Sequence, residues 1–378
     1  MKANSIALFA WGLSGGAITN MVAALAKGFI ESGISTIYVV YLHDIGENRV
    51  KFPSTVKPIA LKAKHTKLSS FAIARFLRAY QPDIFISFAF LNIPSIIGYL
   101  LAGKVKTKLI VSQQNSMIYQ AQVEHQGNWL FKAQLYLAKY LYPQADGLIA
   151  TTKPVLDELI ATVGIKFRHT KTRVIPNILD IEGIVAKSQA NSTHPWLRQK
   201  QTPTIISVAR LAKQKNFPLL FAAVALAQKQ IQLKLIIFGQ GNEREELEKL
   251  IKAMNLEDSI SLAGYSTNPY TEMAHADAFV LSSEEEAFGL VLVEAMATGT
   301  PVIATDAMGE GPRTIIDDNQ YGLLVPNHNP SALAAAIVKT LTNAELRDRL
   351  VAAGKERCQT YRPEVITQAW LKSIEDLT

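Results

Sequence analysis

Apolar residues recur along the first half of the chain in two alternating rhythms. Short runs with β-branched or aromatic character predict strands over residues 5–10, 36–42, 84–88, 108–112, 147–151 and 173–175. Between them, apolar positions at three- and four-residue spacing predict helices over 18–32, 69–80, 94–101, 128–142 and 154–162. Continuous apolar strands alternating with helices are the pattern of a parallel sheet covered on both faces.

The rhythm stops in a polar stretch from 178 to 201, whose loosest part is Gln189-Ala190-Asn191-Ser192-Thr193-His194-Pro195, and then restarts. Strands are predicted over 204–208, 233–238, 259–262, 278–281 and 302–305. Helices are predicted over 216–230, 242–254, 290–298, 331–341 and 344–357, with a last one from about Pro363. The expected organisation is an α/β chain with one doubly wound domain over 1–180, a second over 181–360 and a terminal helix over 361–378. Such sheets bind ligands in the crevice outside the carboxyl ends of their strands.

Composition agrees with that division. A chain of 378 residues exceeds one ordinary hydrophobic core, and 48% hydrophobic with 19% charged residues excludes disorder. The single cysteine, Cys358, excludes an intrachain disulfide framework and a cysteine-rich zinc site. Lys2 is followed by a short apolar run and Gly12-Leu13-Ser14-Gly15-Gly16, without the small-residue cleavage pattern of a secretory signal. Residues 84–103 carry no charge, long enough to span a bilayer. Asn92 and Pro94 divide them into a strand-like half and a helix-like half that ends at Gly103, so a buried strand-loop-helix is expected.

Charge is unevenly shared. Residues 1–180 hold 20 Lys and Arg against 9 Asp and Glu, whereas 181–378 hold 19 against 23. The first half therefore carries all of the positive excess, a surface suited to an anionic partner.

Candidate chemistry concentrates where strands give way to helices. The turn Gly12-x-x-Gly15-Gly16 offers close backbone approach and helix N-terminal amides to an anion. It lacks the G-x-G-x-x-G spacing of a dinucleotide site, with Asp44 the one acidic ribose candidate, which argues against a nicotinamide-dependent oxidoreductase. Arg210 and Lys215 follow a predicted strand, placing cations where a pyrophosphate leaving group gains charge. Gly239 and Gly241 follow the next strand. In the run from Ser282 to Ile303, Glu294 lies mid-helix among Leu292, Val293, Ala295 and Met296, a costly place for a carboxylate that a ribose diol would satisfy. Glu286 precedes that helix beside amides that can face a diphosphate, while Glu284 and Glu285 are expected to solvate the loop.

These features resemble the retaining glycosyltransferases of family 4. The resemblance rests on Arg210 and Lys215, the Glu286-x7-Glu294 spacing, Phe288-Gly289, the Glu294-Ala-Met-Ala-x-Gly-x-Pro301 run and Tyr321-Gly322-Leu323-Leu324-Val325-Pro326. It extends from the glycine turn through Pro176-Asn177 to the helix around Trp370. It implies a GT-B architecture, two Rossmann-like domains facing each other across a cleft, with the terminal helix crossing back to the first. It further implies that Arg210 and Lys215 hold the donor diphosphate, Glu294 the ribose and Glu286 the donor-sugar hydroxyls, with Arg210, Lys215 and Glu286 as the catalytic set. Donor contacts are also implied for Gly15, Gly16, Gly239, Tyr265, Ala287, Phe288, Gly289 and Leu290. The nucleotide sugar is a co-substrate, and no cofactor or metal is expected. Retention would proceed on the donor's front face, with the leaving phosphate accepting the acceptor's proton.

Gly264-Tyr265-x-x-Asn268-Pro269-Tyr270 and Gly309-Glu310-Gly311-Pro312-Arg313-Thr314 resemble members that transfer hexoses or N-acetylhexosamines, many from UDP-sugars, in bacterial surface-polysaccharide, lipopolysaccharide or lipid-linked oligosaccharide assembly. Two departures stand out. Ala287 occupies a position usually held by Gly, and Ser112-Gln113-Gln114-Asn115 occupies the region where several members carry a catalytic-site His. His125 reads as a loop or surface histidine.

Lys57, Lys62, Lys64, Lys67, Arg75 and Arg78 crowd one region of the basic half. Trp129, Phe131, Lys132, Tyr136, Lys139 and Tyr142 give another helix an aromatic and basic surface. The expectation is a cytoplasmic enzyme, peripheral on the inner face of the membrane, acting on a glycan acceptor that is lipid-linked. A soluble synthase acting on a small sugar or sugar phosphate, and a non-catalytic nucleotide-sugar scaffold, are the alternatives. Neither a nucleic-acid-binding module nor the long chain of a pyridoxal-dependent phosphorylase is present.

Overall fold

A computed structural model of the chain describes residues 3–13, 17–43, 52–63, 69–119, 127–162, 164, 166 and 172–377. The chain forms two compact units, one of Met1–Leu179 with Tyr361–Thr378 and one of Asp180–Thr360.

The first unit runs β1 (Ser5–Gly12), α1 (Ala17–Glu31), β2 (Thr36–His43), β3 (Lys57–Ala60), α2 (Ser69–Tyr80), β4 (Ile84–Ser87), α3 (Ile93–Ala102), β5 (Lys108–Gln113), α4 (Met117–Tyr119), α5 (Trp129–Leu141), β6 (Gly147–Ala150), α6 (Lys153–Thr162) and β7 (Thr172–Val174). Its seven strands pair in the order β3-β2-β1-β4-β5-β6-β7, every pair parallel. β1 takes β2 on one side and β4 on the other, so the winding reverses beside it. The four residues of β4 are all buried, which its uncharged, β-branched sequence requires.

The second unit adds α7 (Ile181–Ser188), α8 (Pro195–Arg198), β8 (Thr204–Val208), α9 (Phe217–Ala227), β9 (Lys234–Phe238), α10 (Arg244–Ala253), β10 (Ile260–Gly264), α11 (Pro269–His275), β11 (Ala278–Leu281), α12 (Leu290–Ala297), β12 (Val302–Thr305), α13 (Gly311–Ile316), β13 (Leu323–Val325), α14 (Pro330–Thr342) and α15 (Ala344–Cys358). Its six strands are again all parallel, in the order β10-β9-β8-β11-β12-β13. Here the winding reverses between β8 and β11.

The last helix, α16 (Pro363–Leu377), belongs to the first unit. The Leu179 amide donates to Tyr361 O at 2.9 Å, joining the points where the chain leaves that unit and re-enters it. Ile366, Trp370 and Ile374, four residues apart, all enter the core shared by α1, β1 and β2. Each such burial stabilises by roughly 2 kcal/mol. Gly28 on α1 allows this packing, because a Cβ there would lie 2.1 Å from Thr367 Oγ1.

The parallel-sheet architecture follows the predicted pattern, with local differences. Residues 84–103 form the buried strand β4, a loop and α3, and no helix among the described residues is long and apolar enough to cross a membrane. The stretch 178–201 is not open loop: it contains α7 and α8. Asp180 Oδ1 caps α7 by accepting from the Gly183 amide at 3.1 Å, and His194 Nδ1 caps α8 by accepting from Trp196 N at 3.3 Å. β3 escapes periodicity because this edge strand is largely exposed and carries Pro58. β13, α11 and α13 are too short to repeat an apolar spacing.

Candidate active site

Parallel strands deliver their carboxyl ends to one edge, and the reversal between β8 and β11 leaves a gap there for ligands. The cations follow β8 and the carboxylates follow β11, two hydrogen-bonded neighbours. This topology brings together residues more than seventy positions apart.

Lys215 Nζ lies 2.6 Å from Glu286 Oε2, and both side chains are mostly shielded from water. Ser283 Oγ donates to the same carboxylate oxygen at 3.4 Å. Arg210, two residues beyond β8, is exposed and has no side-chain partner among the described residues. Glu286 is held by its backbone: its amide donates to Met308 O at 2.8 Å, and its carbonyl accepts from the Gly311 amide at 2.9 Å. A Cβ on Gly311 would come within 2.5 Å of Glu286 O and of Phe288 N and O, so only glycine permits this stacking of two loops.

Glu285 does not solvate the loop. It is buried, and its side chain accepts a hydrogen bond from Gln214 Nε2, which also donates to Glu285 O at 3.2 Å. The Gln214 carbonyl in turn accepts from the Glu284 amide at 2.8 Å. These bonds clamp the segment bearing Lys215 to the segment bearing Glu286. A run of three glutamates gives no sign of which one faces inward.

Ala287 and Phe288 are buried, so neither side chain is open to solvent. Alanine fits at 287 because its φ is not positive; the left-handed position is Gly289, at φ +92, the N-cap of α12. Leu290 is the partly exposed first residue of that helix. Gly239 has a structural duty of its own, since a Cβ there would lie 1.8 Å from Ala209 O and push away the loop bearing Arg210.

Glu294 sits in α12 with part of its side chain still accessible, yet protein atoms surround it, and burial pushes its carboxyl up to about 7. Tyr270 Oη donates to Glu294 Oε1 at 3.4 Å, and the Lys187 ammonium acts in the same direction; both favour the ionised form without offsetting the burial. The Tyr270 hydroxyl is itself held protonated by burial and by the neighbouring carboxylate. Lys187 lies over the Tyr270 ring, 5.7 Å from its centroid. Lys187 gives no signal in the sequence, because it falls in the polar stretch 178–201, where the apolar rhythm stops. Tyr270 is visible only as part of the Asn268-Pro269-Tyr270 turn. Tyr265 is exposed at the mouth of a cavity of about 400 Å³, lined also by His194, Phe238 and Ala263.

In the first unit, Gly15, Gly16, Asp44, Lys64, Lys67 and His125 lie outside the described residues. Ser112-Gln113-Gln114-Asn115 closes on itself at the end of β5. Gln114 Nε2 donates to Ser112 Oγ at 2.7 Å, and Gln113 accepts from Tyr142 Oη at 3.0 Å while donating to Asn115 O at 2.9 Å. Arg78 is engaged at the carboxyl end of α3, donating from Nε to Ala102 O at 3.2 Å. Lys57, Lys62 and Arg75 are exposed. On α5 only Phe131 and Ala138 are buried, whereas Trp129, Leu130, Tyr136, Leu137 and Tyr140 face outward. Among the described residues, no group of three or more His, Cys, Asp or Glu side chains could hold a metal ion.

Comparison with known proteins matches residues 189–357 to the model of glycosyl transferases group 1 and residues 15–182 to that of glycosyltransferase family 4. The chain is 29% identical to the N-acetylgalactosamine-N,N'-diacetylbacillosaminyl-diphospho-undecaprenol 4-alpha-N-acetylgalactosaminyltransferase of Campylobacter jejuni, over 98% of this chain and 99% of that one. It is 30% identical to the lipopolysaccharide core biosynthesis glycosyltransferase LpsE of Rhizobium meliloti, over 63% of this chain and 67% of that one. Among solved structures, HepE of Anabaena in complex with UDP and glucose superposes with a TM-score of 0.78 at 20% identity, covering 98% of this chain and 99% of HepE.

Proposed function

From the premise that the chain belongs to the glycosyltransferases of GT-B fold, enzymes that move a sugar from a nucleotide-sugar donor to an acceptor, we propose a family 4 enzyme that transfers a hexose or N-acetylhexosamine with retention. The donor is a UDP-sugar, and the acceptor is a glycan, lipid-linked, in bacterial surface-polysaccharide, lipopolysaccharide or oligosaccharide assembly. The observation that carries this reading is the meeting of Lys215 and Glu286 just before the start of α12, at the reversal between β8 and β11, with Arg210 two residues beyond β8. Arg210, Lys215 and the first amides of α12 hold the diphosphate, because fixed cations and a helix N-terminus stabilise the charge that grows as the glycosidic bond breaks. Glu294 accepts from the ribose hydroxyls, Glu286 from a donor-sugar hydroxyl, and Tyr265 lies beside the base. The leaving phosphate takes the acceptor's proton on the face it departs from. The acetylgalactosaminyl transfer named for the Campylobacter relative and the UDP bound by HepE support this choice of donor class.

The acceptor reading rests on the first unit. α5 exposes aromatic and aliphatic side chains beside Lys132 and Lys139 and carries no acid, a composition suited to an anionic membrane surface, where lipid-linked glycans are found. The protein accordingly works peripherally, on the cytoplasmic face.

Radiolabelled UDP-N-acetylgalactosamine, UDP-N-acetylglucosamine, UDP-glucose and GDP-mannose, each offered with lipid-linked and free oligosaccharides, test donor and acceptor together. Product whose new linkage has the donor's anomeric configuration by NMR supports the proposal. An inverted linkage, or transfer to free sugar phosphates alone, overturns it.

A further inference from the structure

We propose that Glu286 is a product-release residue: by serving as the counter-ion of Lys215, it selectively weakens the hold of the site on the spent nucleoside diphosphate. This rests on the donor-site reading above and adds a role that contact with a donor sugar does not require.

The two side chains meet at 2.6 Å, both largely shielded, and Ser283 Oγ further fixes the carboxylate. Its backbone is pinned on both sides through Met308 and Gly311, so the root of the side chain stays beside Lys215, and the bonds to Lys215 and Ser283 hold the carboxylate there. A diphosphate arriving at Lys215 must therefore share the ammonium with Glu286, and it also feels the carboxylate's own field. Arg210, exposed and without a side-chain partner among the described residues, attracts the same diphosphate unopposed. One cation is thus fully available and the other is largely neutralised.

That asymmetry distinguishes substrate from product. In a sugar nucleotide, the distal phosphate is esterified and holds a single charge. Once the sugar has left, that phosphate gains a second ionisation with a pKa of about 6. The product is therefore the more anionic ligand near neutral pH, and a fixed carboxylate penalises it more. The donor regains contact with Glu286 through its sugar hydroxyl, whereas the product has nothing to offer in return. Product release limits many well-evolved enzymes, and a resident anion shortens the product's stay without a moving lid.

UDP is the diagnostic probe because it carries no sugar, so the donor-sugar role of Glu286 contributes nothing to its binding. Calorimetric titration is run with UDP, GDP and ADP on the wild type, and the nucleotide that binds is carried through Glu286→Gln, Lys215→Ala, the double variant and Arg210→Ala. Glu286→Gln should tighten the nucleotide by about 3- to 10-fold, as expected for release of a part-screened ion pair. In the Lys215→Ala background the same change should have little effect. Unchanged or weaker binding in Glu286→Gln, at an unchanged melting temperature, overturns the proposal. So does equal tightening with and without Lys215, which would assign the effect to a general field. Should Glu286→Gln unfold, Glu286→Ala and Ser283→Ala, which frees the carboxylate, carry the same comparison. Failure of the donor-site reading looks different: no nucleotide binds the wild type, or Arg210→Ala leaves binding intact, and this proposal falls with it.

Discussion

Tyr270 donates its hydroxyl to Glu294 at 3.4 Å, tying the start of α11 to the middle of α12. The bond favours the carboxylate, but burial is the larger influence, and the carboxyl is raised from its ordinary 4.5 to about 7. The folded chain therefore binds this proton more tightly than the unfolded chain does. Stability attributable to Glu294 is intact below about pH 4.5 and is lost as the pH rises through 7. Glu294→Gln should accordingly melt near the wild-type temperature at pH 4.5 and above it at pH 8, with calorimetric scans across that range as the check. A difference independent of pH would show that Glu294 is ionised throughout.

The same titration should appear in donor binding. A carboxylate accepts from both ribose hydroxyls, while the protonated acid gives up one acceptor position, so affinity should rise with pH. A UDP-sugar has no ionisation of its own between pH 6 and 8, and over that span its affinity should increase by up to about tenfold, following the ionised fraction of a group with a pKa near 7. Tyr270→Phe should move this rise to higher pH by removing the bond that favours the ion, and Glu294→Gln should flatten it. Calorimetry in matched buffers reads all three.

Arg210 offers a cleaner test of binding, because no side-chain partner among the described residues depends on it. Arg210→Ala should reduce nucleotide affinity and kcat/KM by about 10- to 100-fold, the range for a charge-assisted hydrogen bond to phosphate. Its melting temperature without ligand should stay at the wild-type value. Arg210→Lys should recover only part of the loss, since a point charge lacks the planar fork.

Gly311→Ala should damage the site through its scaffold. The added Cβ would meet Glu286 O and both backbone heteroatoms of Phe288 at 2.5 Å, so one of the two loops must move. Nearly complete loss of transfer is expected, with a melting temperature lowered by several degrees, roughly what about 2 kcal/mol costs a domain of this size. Activity at the wild-type level would mean that the position of Glu286 does not matter.

α5 can be tested apart from catalysis. Trp129, Tyr136 and Tyr140 are exposed, so replacing all three with Ser should leave folding unchanged. Sedimentation with vesicles containing anionic lipid should fall severalfold, and further when Lys132 and Lys139 become Gln. Equal sedimentation of wild type and variant would remove α5 from the membrane reading.

Apolar runs and helical spacings were enough to determine two parallel sheets, because a strand buried on both faces must be continuously apolar wherever it lies. They also separated β4 from α3 at Asn92 and Pro94 and made Glu294 stand out as a carboxylate among apolar helix positions, whereas Arg210, Lys215 and Glu286 were singled out by their places between strand and helix and by the family resemblance. Short or edge elements such as β3 and β13 stayed silent, since they expose too much or repeat too little to leave a period. Which glutamate faces inward was settled only in three dimensions: Glu285 is buried against Gln214 while Glu286 meets Lys215, because the register of that loop is set by hydrogen bonds to Met308 and Gly311. Lys187 and Tyr270 became partners of Glu294 only once α7, α11 and α12 packed together. Periodicity records whether a residue is buried, whereas a site depends on which distant residues are buried against each other, and that is decided by the order of the strands.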